Sequence, residues 1–228
     1  MASVLAVVAH PDDEILGCGG TLALHAERGD SVTVLILGEG MRSRDEYAAE
    51  SVDELHAAAR AAASELGIDD VRLEQLPDNA FDSVPLLDVV KLVESTGRSV
   101  EPAVVYTHHP GDLNVDHGIT TQAVLTAFRP LPGTPARTLL AFETLSSSEW
   151  NYAPGAPRFR PQWYVDIGGV LERKIRALEA YRTEIRDYPH PRSSRGLEIA
   201  SRRVGMDVGL EHAEAFEVLR VGPGPLPA

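Results

Sequence analysis

The residues with the clearest chemical potential stand at positions 9–14, which read Ala-His-Pro-Asp-Asp-Glu. The apolar run at residues 4–8 comes directly before them and is typical of a buried parallel strand. Open α/β sheets hold their functional sites just outside the carboxyl ends of such strands. The strand therefore delivers one imidazole and three carboxylates to a place where chemistry is expected, and this combination favours a metal-dependent hydrolase.

His10 and Asp13 are the first two candidate ligands for a zinc-type metal. Side chains three residues apart on one tight turn can converge on a point, whereas adjacent side chains normally diverge. Hydrolytic zinc sites take three protein ligands from histidine and carboxylate and keep a fourth position for water. Asp12 is therefore left to handle a proton, and its alternative interpretation is a turn-forming aspartate that bonds its own backbone.

The third ligand is expected in residues 108–117, which contain three histidines and two aspartates after the fourth predicted strand. We expect His117 to be this ligand and Asp116 to support it, because metal-bound imidazoles usually donate their second N–H to a carboxylate. A single His/Asp turn is more often a helix cap, but two such turns on one sheet favour a metal. Glu14 is expected to support the site or to serve as a helix-start carboxylate, and His108 and His109 are expected to support the site or lie at the surface; none of the three is expected to bind the metal.

Residues that follow the other strand ends are candidates for substrate contacts. Arg44 follows the second strand in a glycine-rich loop, and Asp78 and Asn79 follow the third strand, where they would hydrogen-bond substrate hydroxyls. His190 and Arg192 lie in a proline-framed segment that would cover the site or reach a neighbouring subunit. A solvated helix start is the alternative for Arg44, and an ordinary turn is the alternative for Asp78 and Asn79.

The elements that must position these residues alternate along the first 145 residues. Apolar runs predict strands at residues 4–9, 31–37, 71–76, 103–107 and 138–142, and helical patterns occupy residues 19–28, 44–66, 85–94 and 118–128. This rhythm indicates right-handed βαβ crossovers. We therefore predict an α/β, Rossmann-like fold, with a mostly parallel sheet that has helices on both faces.

The alternation breaks after Thr144. Residues 146–161 are rich in Ser, Pro and Gly and predict a long loop over the site or a crossing into a small C-terminal subregion. Short strands at 165–167 and 215–221 and helices at 169–181 and 197–203 are predicted beyond it. We expect a single domain over residues 1–228, with a core of about 1–145 and a C-terminal subregion of about 146–221.

The composition limits which cellular compartment and which classes of binding partner are expected. The net charge of −13 argues against general nucleic-acid binding, which requires a basic surface. The single cysteine, Cys18, cannot form an internal disulfide, in keeping with a reducing cytoplasm. The N-terminus lacks a basic region, and its apolar run is too short for a signal peptide or a membrane span. We expect a cytoplasmic protein with no nucleic-acid partner and no membrane association.

Several of these segments resemble the zinc-dependent N-acetylglucosaminyl deacetylases. The most specific segment is residues 10–14, and it is followed by Gly-Cys-Gly-Gly-Thr at 17–21 and by Asp116-His117. The family includes the GlcNAc-phosphatidylinositol de-N-acetylase, the deacetylases of mycothiol and bacillithiol synthesis, and LmbE-like proteins. The resemblance extends over nearly the whole chain, with further similar segments at residues 38–40, 43–44, 77–79, 146–150, 181–184, 189–193 and 213–216.

The resemblance implies Zn²⁺ bound by His10, Asp13 and His117, with metal-bound water as the nucleophile and Asp12 as the general base. It implies removal of the acetyl group from an N-acetylglucosamine-type conjugate, so the expected partner is a small-molecule amino-sugar substrate. Fe²⁺ is an alternative metal, because His/carboxylate sites with an open position accept both ions. A homo-oligomer is compatible with the resemblance, since such assemblies are common in the family.

The chain departs from the family at Asn114. Several members carry there a further histidine, three residues before the second zinc histidine, which stabilises the oxyanion or protonates the leaving amine. An amide can donate a hydrogen bond to an oxyanion, but it cannot give up a proton near neutral pH. Either Asp12 returns its own proton, or another residue such as His190 or His109 takes this role.

Other functions remain open at this point. A related zinc amidase would cleave a thiol conjugate or another non-acetyl amide with the same metal chemistry. A magnesium phosphoesterase would use the aspartates, but two histidine ligands favour zinc. A non-catalytic, metal- or ligand-binding Rossmann-like protein is the alternative from a different class. The sequence argues against dinucleotide binding, because no Gly-x-Gly-x-x-Gly loop follows the first strand. It also argues against a structural zinc site, because such sites normally have four protein ligands and only three good ones are found.

Overall fold

The computed structural model describes residues 1–40, 49–132 and 137–222. The strands are β1 (Ser3–Val8), β2 (Ser31–Gly38), β3 (Asp70–Leu76), β4 (Val104–His108), β5 (Thr138–Phe142), β6 (Trp163–Asp166) and β7 (Ala213–Arg220). The helices are α1 (Asp13–Glu27), α2 (Ala49–Glu65), α3 (Leu86–Val100), α4 (Val115–Ala127), α5 (Leu171–Ala180) and α6 (Ser194–Met206). Within the described ranges, no helix is both long and apolar enough to cross a membrane.

The strands form one seven-stranded sheet in the order β3-β2-β1-β4-β5-β7-β6. β1 to β5 pair in parallel, and β7 runs antiparallel to both β5 and β6. From β1 the chain proceeds outward to β2 and β3, and from β4 it proceeds the other way to β5. The neighbouring ends of β1 and β4 therefore mark the topological switch point, where ligands bind in open α/β sheets. The predicted α/β, Rossmann-like fold is confirmed.

Two apolar layers bury the sheet. One layer packs α1, α2 and α5 against one face, and the other packs α3 and α4 against the opposite face. β1 belongs to both layers, because Val4, Ala6 and Val8 face the first layer while Leu5, Val7 and Ala9 face the second. This alternation fixes the register of β1, and so it fixes where the chain leaves the sheet at His10.

Helix α1 begins at Asp13, six residues before the predicted start at residue 19. The glycines that made this stretch look like a turn lie inside the helix, because neighbours approach its backbone closely. A Cβ atom at Gly17 would lie 2.1 Å from Phe142 Cδ2, and one at Gly20 would lie 2.7 Å from Ile167 Cγ2. Tertiary packing therefore overrides helix propensity here, and it places Asp13 in the first turn of a helix.

A buried ion pair joins this helix to the C-terminal part of the chain. The Glu214 carboxylate of β7 accepts hydrogen bonds from the backbone N–H groups of Gly20 (2.8 Å) and Thr21 (2.7 Å). Lys174 Nζ of α5 lies 2.6 Å from Glu214 Oε1 and donates to the carbonyl of Leu16 (3.2 Å). Residues beyond position 146 thus extend the same sheet and are joined to the helix that begins at the predicted site.

Two other helices are longer than predicted. α4 begins at Val115 and not at residue 118, because the Asn114 side chain caps it by accepting from the backbone N–H of Asp116 (2.9 Å). α3 continues to Val100, six residues beyond the predicted end. The earlier start of α4 matters for function, since it places Asp116 and His117 in the first helical turn after β4.

Candidate active site

Three predicted metal ligands come together at the switch point. His10 Nδ1 lies 3.4 Å from Asp13 Oδ2, His117 Nε2 lies 3.4 Å from Asp13 Oδ2, and the two histidine nitrogens are 3.3 Å apart. Tetrahedral zinc with bonds of about 2.0–2.1 Å requires ligand atoms about 3.3–3.4 Å apart. The triangle therefore has the dimensions of one face of a zinc-type tetrahedron. The His10 side chain is 12% exposed, whereas Asp13 and His117 are each 1% exposed.

Two turns deliver these side chains. β1 ends at Val8, and the turn that follows carries His10 and leads into α1. The Asp13 carboxylate accepts a hydrogen bond from the backbone N–H of His10 (2.8 Å), which holds this turn closed. His117 lies in the first turn of α4, after β4. Because β1 and β4 are neighbours in the sheet, the two turns meet at the same edge.

Each histidine has a carboxylate at its second nitrogen. His10 Nε2 lies 2.9 Å from Asp116 Oδ2, and His117 Nδ1 lies 3.0 Å from Asp112 Oδ1. Such carboxylates fix the tautomer and the ring orientation of metal-binding histidines. The expected pairing of Asp116 with His117 is wrong, because adjacent residues on a helix diverge. Asp116 turns towards His10 instead and also accepts from the backbone N–H of Phe81 (2.9 Å).

The charges of this cluster suit a cation. Burial lowers the pKa of both histidines, but the surrounding carboxylates raise the pKa of His10 to about 10 and that of His117 to about 9. Burial raises the pKa of Asp13, yet the nearby imidazoles hold it well below its usual range. Asp13 Oδ1 is buried, and no described residue donates a hydrogen bond to it. A buried carboxylate oxygen without a hydrogen-bond partner, beside two imidazoles, fits a bound metal.

The sequence predicts a supporting or a surface position for His108, and the structure places this residue beside His117. Its ring stacks on that of His117 with centroids 4.0 Å apart and an interplanar angle of 14°. Its Nε2 accepts from the backbone N–H of Ala9 (2.9 Å), and its Nδ1 lies 3.0 Å from Thr144 Oγ1. Burial and the neighbouring His117 lower the pKa of His108 to about 3, so His108 is neutral, and its ring packs against that of the predicted ligand His117. Its position as the last residue of β4 is the signal that could have revealed this role.

Asp12 lies beside the predicted metal ligands, and its side chain is 1% exposed. Its backbone is left-handed, with φ 95°, which is uncommon for a residue with a side chain. Arg192 Nη1 donates to Asp12 Oδ2 (3.1 Å), while Oδ1 is buried and has no hydrogen-bond partner among the described residues. Burial raises the pKa of Asp12 to about 7, although the Arg192 guanidinium lowers it. A carboxylate with this pKa is suited to proton transfer near neutral pH.

Glu14 holds this turn through two hydrogen bonds. Its Oε2 accepts from the backbone N–H of Asp12 (3.2 Å), and its Oε1 accepts from the Tyr181 hydroxyl (2.6 Å). Tyr181 is fully buried at the end of α5. The strained turn at Asp12 is therefore held by a residue from the C-terminal part of the chain, which the sequence did not predict.

Three polar residues form a hydrogen-bonded row beside His10. Asp78 Oδ1 lies 3.4 Å from His10 Nε2 and accepts from the Asn79 amide (3.1 Å). The Asn114 amide in turn donates to Asn79 Oδ1 (3.0 Å). Asp78 and Asn79 thus lie next to His10, the most exposed of the three predicted ligands. Asn114 joins the row through its amide while its oxygen caps α4, as described above.

The remaining predicted residues have different outcomes. The His109 ring lies on the β7 side, with Nδ1 2.6 Å from Glu217 Oε2, and its described contacts include none of the predicted ligands or Asp12. His190 packs edge-on against Trp150, with ring centroids 5.8 Å apart. Arg192 reaches Asp12, as given above. Arg44 lies outside the described residues, so its predicted role has no structural description.

Comparisons with known proteins place this geometry in a family. The family model described as GlcNAc-PI de-N-acetylase (PIG-L) matches residues 5–128, which include all three predicted ligands. A 1D-myo-inositol 2-acetamido-2-deoxy-alpha-D-glucopyranoside deacetylase from Rhodococcus erythropolis is 30% identical over 239 residues, covering 80% of this chain and 81% of that protein. The "Probable N-acetyl-alpha-D-glucosaminyl L-malate deacetylase 2" of Bacillus cereus is 26% identical over 188 residues, covering 79% and 83%.

The fold is also that of a solved structure. The conserved protein TT1542 from Thermus thermophilus superposes with a TM-score of 0.75 and 26% sequence identity. The superposition covers 100% of this chain and 96% of that chain, so it includes the C-terminal strands and helices as well as the core.

Proposed function

The chain belongs to the GlcNAc-PI de-N-acetylase (PIG-L) family, and from this membership we propose how it hydrolyses an amide bond. It is a deacetylase whose relatives act on N-acetylglucosamine-type conjugates. The proposed reaction converts an N-acetylated amino sugar and water into acetate and a free amine. The proposed catalytic centre consists of His10, Asp13 and His117 as metal ligands and Asp12 as the general base.

The triangle of His10 Nδ1, Asp13 Oδ2 and His117 Nε2, with edges of 3.3–3.4 Å, is the observation on which this proposal depends. We infer zinc as the metal, because two imidazoles and one carboxylate suit Zn²⁺, and Fe²⁺ is the alternative. When bound, the metal would polarise the amide carbonyl and lower the pKa of a water molecule from about 15.7 to about 7.

Asp12 would carry the proton. As the water oxygen bonds to the acetyl carbon, Asp12 Oδ1 accepts the proton that the water loses. As the C–N bond breaks, Asp12 returns this proton to the departing nitrogen. The geometry supports both steps, since Asp12 is buried beside the proposed ligands and its Oδ1 has no hydrogen-bond partner among the described residues.

The other predicted proton donors do not contact Asp12 or the predicted ligands in the described structure, so none of them is assigned the return of the proton to the departing nitrogen. The Asn114 amide cannot lose a proton near neutral pH, and its oxygen is used to cap α4. His109 is paired with Glu217, and the described contacts of the His190 ring, which are with Trp150 and the backbone N–H of Arg192, include neither Asp12 nor a predicted ligand. We therefore assign both proton transfers to Asp12.

Asp78 and Asn79 are proposed to bind sugar hydroxyls. They form the polar row next to His10, the ligand whose side chain reaches the surface. Carboxylate and amide groups supply both acceptors and donors, as a hydroxyl requires. The family relatives differ in the group attached to the sugar, inositol in one and malate in another, so the sugar is the part of the substrate that these residues would share.

Acetate release from a panel of N-acetylglucosamine conjugates tests the proposal. We expect the zinc-reconstituted protein to release acetate and the chelator-treated protein to release none. Asp12→Asn, which keeps the shape but not the basicity, should lose about 10²–10⁴-fold in kcat while it binds zinc stoichiometrically. Asp88→Asn is the matched control, because Asp88 lies on α3 with its side chain 58% exposed.

The outcomes separate the alternatives. Release by the chelated protein, or full activity of Asp12→Asn, would contradict the proposed mechanism. Cleavage of a non-acetyl amide in place of every acetyl substrate would favour the related amidase. Stoichiometric zinc without cleavage of any amide would favour a metal-binding protein without catalysis.

A further inference from the structure

We propose that Arg192 is a positioning residue that holds the carboxylate of Asp12 with one oxygen engaged and the other directed to the reaction. The sequence predicted a substrate contact for Arg192, and the structure gives it a different neighbour. The inference rests on the proposed function, because it assigns a role to the partner of the proposed base.

Two hydrogen bonds fix the Arg192 guanidinium. Nη1 donates to Asp12 Oδ2 (3.1 Å), and Nε donates to Ser146 Oγ (2.8 Å). Ser146 is itself held, because its backbone N–H donates to Glu149 Oε1 (2.6 Å). The planar guanidinium can bridge two acceptors at once, which a lysine ammonium on a flexible stem does less well. Arg192 therefore connects the turn after β5 to the turn after β1.

Asp12 depends on this contact more than a typical aspartate would. It stands at the N-cap position of α1, yet within the described structure its side chain makes no capping hydrogen bond. Arg192 is the one donor to its carboxylate in the described part of the chain, and Oδ1 is left without a partner. The terminal torsion of aspartate is broad, so an unheld carboxylate would rotate between several orientations. Arg192 selects the orientation in which Oδ2 is occupied and Oδ1 stays available.

The existing contacts of Arg192 favour a positioning role over a role in substrate binding. Nη1 and Nε of Arg192 already serve Asp12 and Ser146, and the side chain is only 25% exposed. A positioning residue affects the chemical step, so its loss lowers kcat and leaves KM nearly unchanged. The loss of a residue that binds substrate and transition state equally would instead raise KM and leave kcat unchanged.

Steady-state acetate release by the zinc-reconstituted full chain tests the inference, with the best substrate of the panel. We expect Arg192→Ala to lose about 10–100-fold in kcat, with KM within about twofold of the parent. Added guanidinium chloride at tens of millimolar should restore part of this kcat, whereas sodium chloride at the same concentration should not. Arg192→Lys should recover less than added guanidinium does.

Ser146→Ala provides a second, milder variant. It removes a single oxygen atom, so it keeps the test open if Arg192→Ala does not fold, and it should lower kcat several-fold with KM unchanged. A rise in KM at constant kcat for Arg192→Ala would overturn the inference in favour of a substrate contact. Unchanged kcat and KM in Arg192→Ala would also overturn it.

A measurement without substrate keeps this inference distinct from the proposed function. In ¹⁵N spectra of the parent, we expect the Arg192 Nη1–H signals to exchange slowly with water, because Nη1 donates to Asp12, and we expect this protection to be lost in Asp12→Ala. A parent that releases no acetate overturns the proposed function, and the exchange experiment still decides whether Arg192 holds Asp12. Fast exchange of Arg192 Nη1–H in the parent would overturn the inference even if the enzyme is active.

Discussion

At the scale of single residues, His10 shows how one side chain connects two parts of the site. Its Nδ1 faces Asp13 and His117, while its Nε2 lies against Asp116 and Asp78. The first nitrogen belongs to the proposed metal and the second to the residues that orient the ring. A substitution of Asp116 should therefore weaken metal binding without removing any of the proposed ligands.

Asp116→Asn should weaken zinc binding by about 10–100-fold, because His10 would lose the carboxylate that fixes its tautomer. Asp116 is fully buried and 2.9 Å from His10 Nε2, so solvent cannot replace the lost acceptor. Competition with a chelator of known affinity measures the change. Asp88→Asn on the exposed face of α3 is the control and should bind zinc like the parent. Equal zinc affinities for Asp116→Asn and the parent would contradict this role.

The sequence predicted which residues meet at this site better than it predicted their pairwise contacts. The two His/Asp turns follow neighbouring strands, so the proximity of His10, Asp13 and His117 could be inferred from strand order. The partner of His117 could not be inferred, because Asp112 lies in an irregular segment whose path depends on bonds to Ser147 and Ser148. Those serines belong to a loop far along the chain, and no local pattern reveals their contact.

At the scale of elements, the N-terminal half of α1 is shaped by what packs against it. Gly17 lies against the Phe142 ring of β5, where a Cβ would meet Cδ2 at 2.1 Å. Gly118 of α4 is the matched case in open space, since a Cβ there would meet nothing within 4 Å. Alanine substitutions at these two glycines therefore distinguish the effect of helix propensity from the effect of close packing.

Gly17→Ala should destabilise the fold by about 1–3 kcal/mol through overpacking, whereas Gly118→Ala should stabilise it by about 0.5–1 kcal/mol. Urea denaturation of the two variants and the parent gives the free energies of unfolding. Because Gly17 lies one turn after Asp13, the first variant should also weaken zinc binding. A Gly17→Ala protein as stable as the parent would show that Phe142 does not constrain this helix.

The predicted start of α1 was wrong because of this same close packing against the helix. Local propensity disfavours a helix across three glycines in four residues, and only the tertiary neighbours show why they are needed. β5, in contrast, was predicted over Thr138–Phe142 as observed, because its apolar run is buried on both sides. Strands of a covered parallel sheet can be predicted from sequence, whereas the ends of helices that approach their neighbours closely are harder to predict.

At the scale of the whole molecule, the N-terminal site depends on the C-terminal part of the chain. The family model covers residues 5–128, which include the predicted metal ligands. Arg192 and Tyr181 lie outside that range, yet they hold Asp12 and its neighbour Glu14. Glu214 and Lys174 fix the middle of α1 from the same region. The C-terminal residues therefore complete the site that the strand–helix core begins.

Zinc should stabilise the whole fold, because the three proposed ligands converge only in the native state. At a free zinc concentration about 100 times the Kd, the added free energy is about 2.7 kcal/mol, and for a chain of this size the Tm should rise by about 5–11 °C. Calorimetry of zinc-loaded and chelator-treated protein measures the shift. His117→Ala is the control and should lose most of it. An equal Tm for both samples, or the full shift in His117→Ala, would count against this site.

The central claim is that His10, Asp13 and His117 hold the metal, and a crystal structure of the zinc-loaded protein with anomalous data at the zinc edge tests it most directly. We predict one peak about 2.0–2.2 Å from His10 Nδ1, Asp13 Oδ2 and His117 Nε2. His10, Asp78 and Asp116 form a second group whose ligand atoms lie within 4.8 Å of one another. A peak at that group alone, or no peak at the switch point, would contradict the account.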